Sequence, residues 1–174
     1  MNWKSVGKPT LTLFLVCLLV TAALSVTNYL TKDAIAAAKE QAVAEAMAGL
    51  LPGCEYEPLN EEADAYAARR EGQTAGYIFI TEAMGYKSSV QVMTALDAAG
   101  TVTGVHVLDC TDESPGIGQK VGTTPAFTDQ FAGRREPSDA VDAITGATYS
   151  SKAVRDAVNA ALERFASVAG GDAS

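Results

Sequence analysis

Histidine is almost missing from this chain: of 174 residues only His106 is one, and it stands inside an alternating, strand-like run. A histidine-rich metal or haem site is excluded, and with this one histidine inside a strand pattern a His-centred catalytic triad is poorly supported. Cysteine is scarce as well. Cys17, Cys54 and Cys110 have no CxxC or Cys/His spacing, so no thiolate metal site is indicated. Cys17 falls in an apolar run, which leaves Cys54 and Cys110 either as a disulfide pair or as two inert thiols. Acidic residues are absent before Asp33. Beyond residue 30, eleven Lys and Arg face 21 Asp and Glu, a net of −10, which speaks against nucleic acid and anionic lipid as partners of that part. Neither GxxxxGK[ST] nor GxGxxG occurs, so a phosphate loop for a mobile nucleotide is missing too.

The longest charge-free stretch comes first. Between Lys8 and Lys32 there are 23 uncharged residues, among them Leu11, Leu13, Phe14, Leu15, Leu18, Leu19 and Leu24. As a helix this is about 34 Å long, enough to cross a bilayer core. The alternative is a cleaved signal peptide, with Lys4 and Lys8 before the apolar run and Ala23-Leu24-Ser25 as the cleavage sequence. The run continues through Val26, Tyr29 and Leu30, longer than a usual signal core, and favours a retained anchor. A lipid-modified Cys17 is disfavoured by Val16, where a small residue is needed. Lys4, Lys8 and the terminal amine, against Lys32 and Lys39, orient the N-terminus to the cytoplasm and the rest outside the cell membrane.

After the anchor, residues 33–51 are alanine-rich and free of proline, with Ile35, Ala38, Ala42, Met47 and Leu50 on one stripe; Pro52-Gly53 ends this helix. Residues 54–65 are acidic and irregular and read as a loop. From there the period becomes two: strands are expected at 76–81, 89–96 and 102–108, and a weaker one at 65–69. Asp97-Ala98-Ala99-Gly100 supplies a turn. The alternation implies one covered face. Residues 109–125 form a long Gly-, Pro- and Ser-rich loop of the kind that carries function. A short helix follows at 125–131, then a charged loop. Val154, Ala157, Val158, Ala161, Leu162 and Phe165 align on one face of a final helix that packs on the sheet. The fold class is α+β: a single N-terminal transmembrane helix, then a small, mostly antiparallel sheet packed with helices. The expected divisions are a tail at 1–9, the transmembrane helix at 10–31, a stalk or first domain helix at 32–53, one domain at 54–168 and a disordered tail at 169–174.

The stretch from Asp142 to Lys152 carries the chemistry. It reads as a strand end at 141–144, a turn of small residues and hydroxyls before a helix. The free N–H groups and positive dipole end of that helix would lie beside Thr148 and suit a phosphate. Thr148 as a plain helix cap is the competing reading.

Asp142-x-x-Thr145-Gly146-Ala147-Thr148 resembles the D-x-x-[ST]-G-A-[ST] sequence at which bacterial flavin transferases attach FMN, as a phosphoester, to the last hydroxyl. Glu113-Ser114-Pro115-Gly116-Ile117-Gly118 resembles the E-[ST]-P-G-[LI]-G loop of the FMN-binding domain family, and Gly85-Tyr86 its G-Y-x-G start, with Ser88 in place of the second glycine. With one anchor and this length, the whole is similar to the G subunits of Rnf-type ion-translocating ferredoxin:NAD+ oxidoreductase complexes. The resemblance implies FMN as cofactor, covalently held by Thr148, with Asp142 and Gly146 in the recognition sequence and Thr145 and Ala147 flanking the phosphate and ribityl chain. Glu113, Ser114, Gly116 and Ile117 would line the isoalloxazine. Lys120 would lie near enough to favour negative charge on the flavin, unless it is simply solvated. Implied partners are the other membrane and redox subunits, the lipid bilayer and a flavin transferase. The chain would then be an electron carrier within an enzyme complex rather than an enzyme alone. Alternatives are a protein like the C subunit of a sodium-pumping NADH:quinone reductase, an independent extracytoplasmic flavoprotein, and an anchored binding or structural domain without redox function.

Overall fold

The computed structural model describes residues 3–171. The chain divides into two compact units, Met1–Ala42 and Val43–Ser174.

The first unit is helix throughout its described length, within α1 (Trp3–Leu50). Among the described residues it is the one helix long and apolar enough to cross a membrane, with a mean hydropathy of 2.3 over 18 residues. Its large apolar side chains, Leu11 to Leu30, have no protein cover. Its hydroxyls are satisfied locally: Thr12, Thr27 and Thr31 each donate to the carbonyl four residues back, at 3.0, 3.0 and 2.7 Å. In hydrocarbon that return bond spares each hydroxyl an unmatched polar group.

The second unit opens with the last turns of α1, which Pro52-Gly53 terminates; Gly53 has φ +73°. Five strands follow, β1 (Glu55–Pro58), β2 (Ala65–Arg70), β3 (Gln73–Met84), β4 (Ser89–Asp97) and β5 (Val102–Asp109). They form an antiparallel meander in sequence order. Strand β1 lies where the sequence suggested a loop. Glu55 and Glu57 point to solvent around a half-buried Tyr56, and Pro58 is tolerated because it ends an edge strand, where its missing N–H breaks no inner ladder. At the β4–β5 turn the Asp97 carboxylate accepts the N–H groups of Ala99 and Thr101 at 2.9 and 2.8 Å.

Both faces of the sheet are covered, where alternation alone had implied one. On the first face Phe79, Val90, Val92, Leu96 and Val102 pack with Val154, Ala157, Val158, Ala161 and Leu162 of α3 (Thr148–Gly171). On the second, Ile78, Met93 and Ala95 pack with Ala46 and Met47 of α1. Helix α3 is pinned at its middle by Thr81 Oγ1, which donates to the Ala157 carbonyl at 2.8 Å, and near its end by the two-pronged Arg164–Asp64 pair at 2.8 and 2.7 Å. α3 reaches Gly171, inside the stretch expected to be disordered; extending a formed helix costs little. Residues 172–174 of that tail lie outside the described residues.

Between sheet and α3 run a 3-10 turn at Gly118–Gly122, the short α2 (Pro125–Thr128) and a second 3-10 turn at Asp129–Phe131. Phe127 and Phe131 close one end of the core edge to face, with centroids 5.6 Å apart. The strand end expected at 141–144 is absent. Instead of a ladder, the Gln130 amide brackets Asp142, accepting its N–H at 2.9 Å and donating to its carbonyl at 3.2 Å.

Phe79 is fully buried between β3 and α3. Phe79→Ala is expected to cost about 3–5 kcal/mol in urea unfolding of the detergent-solubilised chain; a loss below about 1 kcal/mol would contradict the packing described.

Candidate functional site

The start of α3 positions the site. Gly146 has φ +83°, a left-handed conformation that residues with a Cβ rarely adopt. It turns the chain so that Ala147 N–H donates to the Ile144 carbonyl at 2.8 Å, and the Ala147 carbonyl accepts Ser151 N–H at 2.8 Å as the first helical bond. Thr148 is therefore the first residue of the helix and not its cap. The local side-chain support comes from Ser151, whose hydroxyl accepts Ile144 N–H at 3.1 Å. The Thr148 side chain is exposed, and among the described residues its hydroxyl has no hydrogen-bond partner. The N–H groups of Thr148, Tyr149 and Ser150 lie in the turn that has no intrahelical acceptors, and no loop carbonyl takes them up among the described residues.

Beneath this turn lies Glu113, 1% exposed. One carboxylate oxygen accepts the N–H groups of Lys87 and Ser88 at 2.9 and 3.0 Å; the other accepts Tyr86 N–H at 3.2 Å and the Ser150 hydroxyl. Burial alone pushes the carboxyl pKa up, but the four donors outweigh it and hold it down at about 2. The approach is so close that a Cβ on Gly85 would stand 2.7 Å from a carboxylate oxygen. With Ser88 in place of the second glycine the turn still closes, Gly85 N–H donating to the Ser88 carbonyl at 2.8 Å. The Ser88 hydroxyl is buried without a partner among the described residues.

Above Glu113 opens a cleft of about 420 Å³, lined by Tyr86, Ser114, Ile117, Gly118 and the run from Gly146 to Ser150. It brings together Ser114, Ile117, Gly146, Ala147 and Thr148 from the expected set. Glu113 is beneath it and does not line it. Gly116 (φ +71°) shapes the loop without reaching the lining, while Thr145, Asp142 and Lys120 lie outside the lining and are exposed. Two residues to which sequence reasoning gave no role are Tyr86 and Tyr149, whose exposed rings stand at the cleft 6.0 Å apart. The available signal was one aromatic inside the Gly85-Tyr86 motif and another directly after Thr148. Thr148 also borders a second cleft of about 250 Å³ with Ser151, Lys152 and Arg155. Its cations are partly neutralised, Lys152 by Asp156 at 2.7 Å and Arg155 by Asp139 at 3.2 Å and Asp156 at 2.9 Å.

The depressed pKa of Glu113 makes stability depend on pH. Its unfolded-state value is 4.5 and its folded value about 2, so the unfolded chain binds the proton more tightly. The contribution, about 3 kcal/mol, is fully present above pH 4.5 and is lost as pH falls through 2. In denaturation curves Glu113→Gln is expected to lie well below the parent at neutral pH and to converge on it towards pH 2. A gap independent of pH would contradict the charged, four-donor carboxylate.

Two family descriptions match the chain: an RnfG N-terminal region over residues 1–49 and an FMN-binding domain over residues 85–163. The G subunit of the Na(+)-translocating ferredoxin:NAD(+) oxidoreductase complex of Acetobacterium woodii is 29% identical over 94% of this chain and 93% of its own length. The G subunit of an ion-translocating oxidoreductase complex of Stutzerimonas stutzeri is 32% identical over 93% of this chain and 82% of its own. Among solved structures, the C subunit of the Na(+)-translocating NADH-quinone reductase of Parabacteroides distasonis aligns with a TM-score of 0.48 at 24% identity, covering 56% of this chain and 58% of that one. By the relationship to the Stutzerimonas protein, which extends over nearly the whole chain, this protein belongs to the family of G subunits of ion-translocating oxidoreductase complexes.

Proposed function

We propose that the chain is the electron-transferring G subunit of an Rnf-type ion-translocating ferredoxin:NAD+ oxidoreductase complex, and that it carries FMN esterified through its phosphate to Thr148. The observation that carries this reading is the Thr148 hydroxyl: exposed, unpartnered among the described residues, and placed on the wall of a cleft rather than used as a cap. A cleft of about 420 Å³ is within the usual range for a small-molecule site, about 300–1,000 Å³. The N–H groups of the first turn of α3 and the Lys152–Arg155 side of Thr148 suit a phosphate, and Ile117, Tyr86 and Tyr149 offer apolar surface to a flat ring. Bound there, FMN would supply one- and two-electron transfer.

Attachment would be the work of a flavin transferase acting on FAD. The Thr148 Oγ1 forms a bond to the phosphorus on the flavin side of the pyrophosphate, the bond to the second phosphate breaks, AMP leaves, and the hydroxyl proton passes to a base of the transferase. The exposed Asp142, bracketed by Gln130, and the exposed Gly146 turn present the recognition sequence for that encounter. In the assembled complex the chain spans the membrane once at residues 10–31, N-terminus in the cytoplasm, with residues 54–168 as the flavin domain outside. Lys4 and Lys8 before the apolar run and the acidic balance after it support this orientation. Similarity along nearly the full length of the G-type relatives favours this assignment over the C subunit of a quinone reductase.

The test is flavin fluorescence in a denaturing gel, after expression with a flavin transferase. A fluorescent band is expected for the parent and for Tyr149→Phe, which removes a neighbouring hydroxyl outside the recognition sequence, and none for Thr148→Ala. A dark parent band would overturn the covalent link; a native protein that also holds no flavin would leave the anchored binding domain without redox function as the surviving reading.

A further inference from the structure

Tyr86 and Tyr149 are unusual in being large aromatic rings that are both water-exposed, 69% and 65%, and yet against one another, centroids 6.0 Å apart and tilted by 44°. They come from segments far apart in sequence that converge at one cleft. Tyr149 follows Thr148 in the first turn of α3; Tyr86 stands in the turn closed by Gly85 and Ser88. One carboxylate fixes both mountings. Glu113 takes the N–H groups of Tyr86, Lys87 and Ser88 from one side and the hydroxyl of Ser150, the neighbour of Tyr149, from the other. The backbones below the rings are thus held, while the rings themselves are water-exposed.

An aromatic ring seated between two others needs about 3.5–4 Å to each, so about 7–8 Å from face to face. With centroids 6.0 Å apart and planes tilted by 44° the pair is closed, and must turn towards parallel as well as part by about 1–2 Å to admit one. Their exposure leaves the space to do so. The exchange is favourable because two half-wet rings gain a stacked apolar surface in place of a single tilted contact.

We propose that Tyr86 and Tyr149 are a clip for the isoalloxazine ring, parting to hold it between them, with Glu113 as the positioning residue that sets the spacing of their two backbone mountings. The proposal rests on the reading that FMN is attached at Thr148, since only a ring tied at that hydroxyl is delivered beside Tyr149. A flavin between two phenols is dark: on excitation a phenol lends it an electron and takes it back without emission. The ring is also held in a chiral setting and acquires circular dichroism in the visible range.

The experiment uses the full chain, loaded by a flavin transferase, with fluorescence divided by the amount of flavin covalently attached. For native parent protein the yield is expected to be several-fold below that of the same protein denatured. Tyr86→Ala and Tyr149→Ala are each expected to raise it several-fold toward the denatured value and to weaken the visible dichroism. Tyr86→Phe and Tyr149→Phe, which cannot lose folding through a missing ring, are expected to brighten the flavin while keeping the dichroism. Glu113→Gln is expected to brighten it and weaken the dichroism, with Glu113→Asp intermediate. Attached flavin whose yield and dichroism are the same in the parent and in all four tyrosine variants would overturn the clip. Absence of attached flavin in the parent is a different result, and overturns the attachment on which the clip rests.

Discussion

A single buried carboxylate organises the functional end of this molecule. Glu113 joins three pieces of chain at one point: the turn at Gly85–Ser88, the loop before the 3-10 turn, and the N-terminus of α3. Burying a lone ionised carboxylate is prohibitive; burying one with a donor for nearly every lone pair is not. Four donors converge on Glu113, and they hold its pKa at about 2 in spite of burial. The bonds do more than offset desolvation. Because the carboxylate is at its best only when all of them are made, the loop, the turn and the helix start are fixed together, and the cleft above inherits their spacing. The close passage of Gly85 is part of the same requirement.

The remainder of the second unit gives that junction a rigid base. An antiparallel meander is stable only if its faces are covered, and here each is covered by a different helix, one by α3 and the other by the final turns of α1. The helix whose N-terminus forms the cleft is also the main cover of the core, so the placement of Thr148 is coupled to the packing of Val154, Ala157 and Val158 less than three turns away. A site on a regular element embedded in the core is held more precisely than one on a free loop.

Much of this was legible in the sequence, for identifiable reasons. Period-two alternation marked β3, β4 and β5, and the spacing of Val154, Ala157, Val158, Ala161 and Leu162 marked the buried face of α3. The motif residues did converge: Ser114 and Ile117 meet Gly146, Ala147 and Thr148 at one cleft. What the sequence hid was tertiary. Strand β1 has too short and too acidic a run to alternate visibly. The helical cover of the second sheet face follows from where α1 ends, which no local pattern specifies. Glu113 looked like a ring contact because a motif reports that a residue matters but not to what; its donors are backbone N–H groups 25 to 27 residues away and a serine 37 residues away. Capping stayed open as a competing reading of Thr148 because the left-handed turn at Gly146, which makes Thr148 the first residue of α3, is not visible in a local pattern. Lys120 is exposed, in line with the solvated reading that the sequence itself allowed.

Covalent attachment suits this architecture. The cleft is open and its aromatic walls are half in water; on the proposed reading a phosphoester would keep the ring there without tight binding and would leave it accessible to neighbouring redox centres. Everything then turns on the hydroxyl of Thr148, which has four hydroxyl neighbours in Thr145, Tyr149, Ser150 and Ser151. The most direct measurement is the intact mass of the chain matured with a flavin transferase, followed by peptide mapping across this segment. An increase equal to FMN less one water, carried on Thr148, is expected. An unmodified mass, or the same increase carried on a neighbouring hydroxyl, would contradict it.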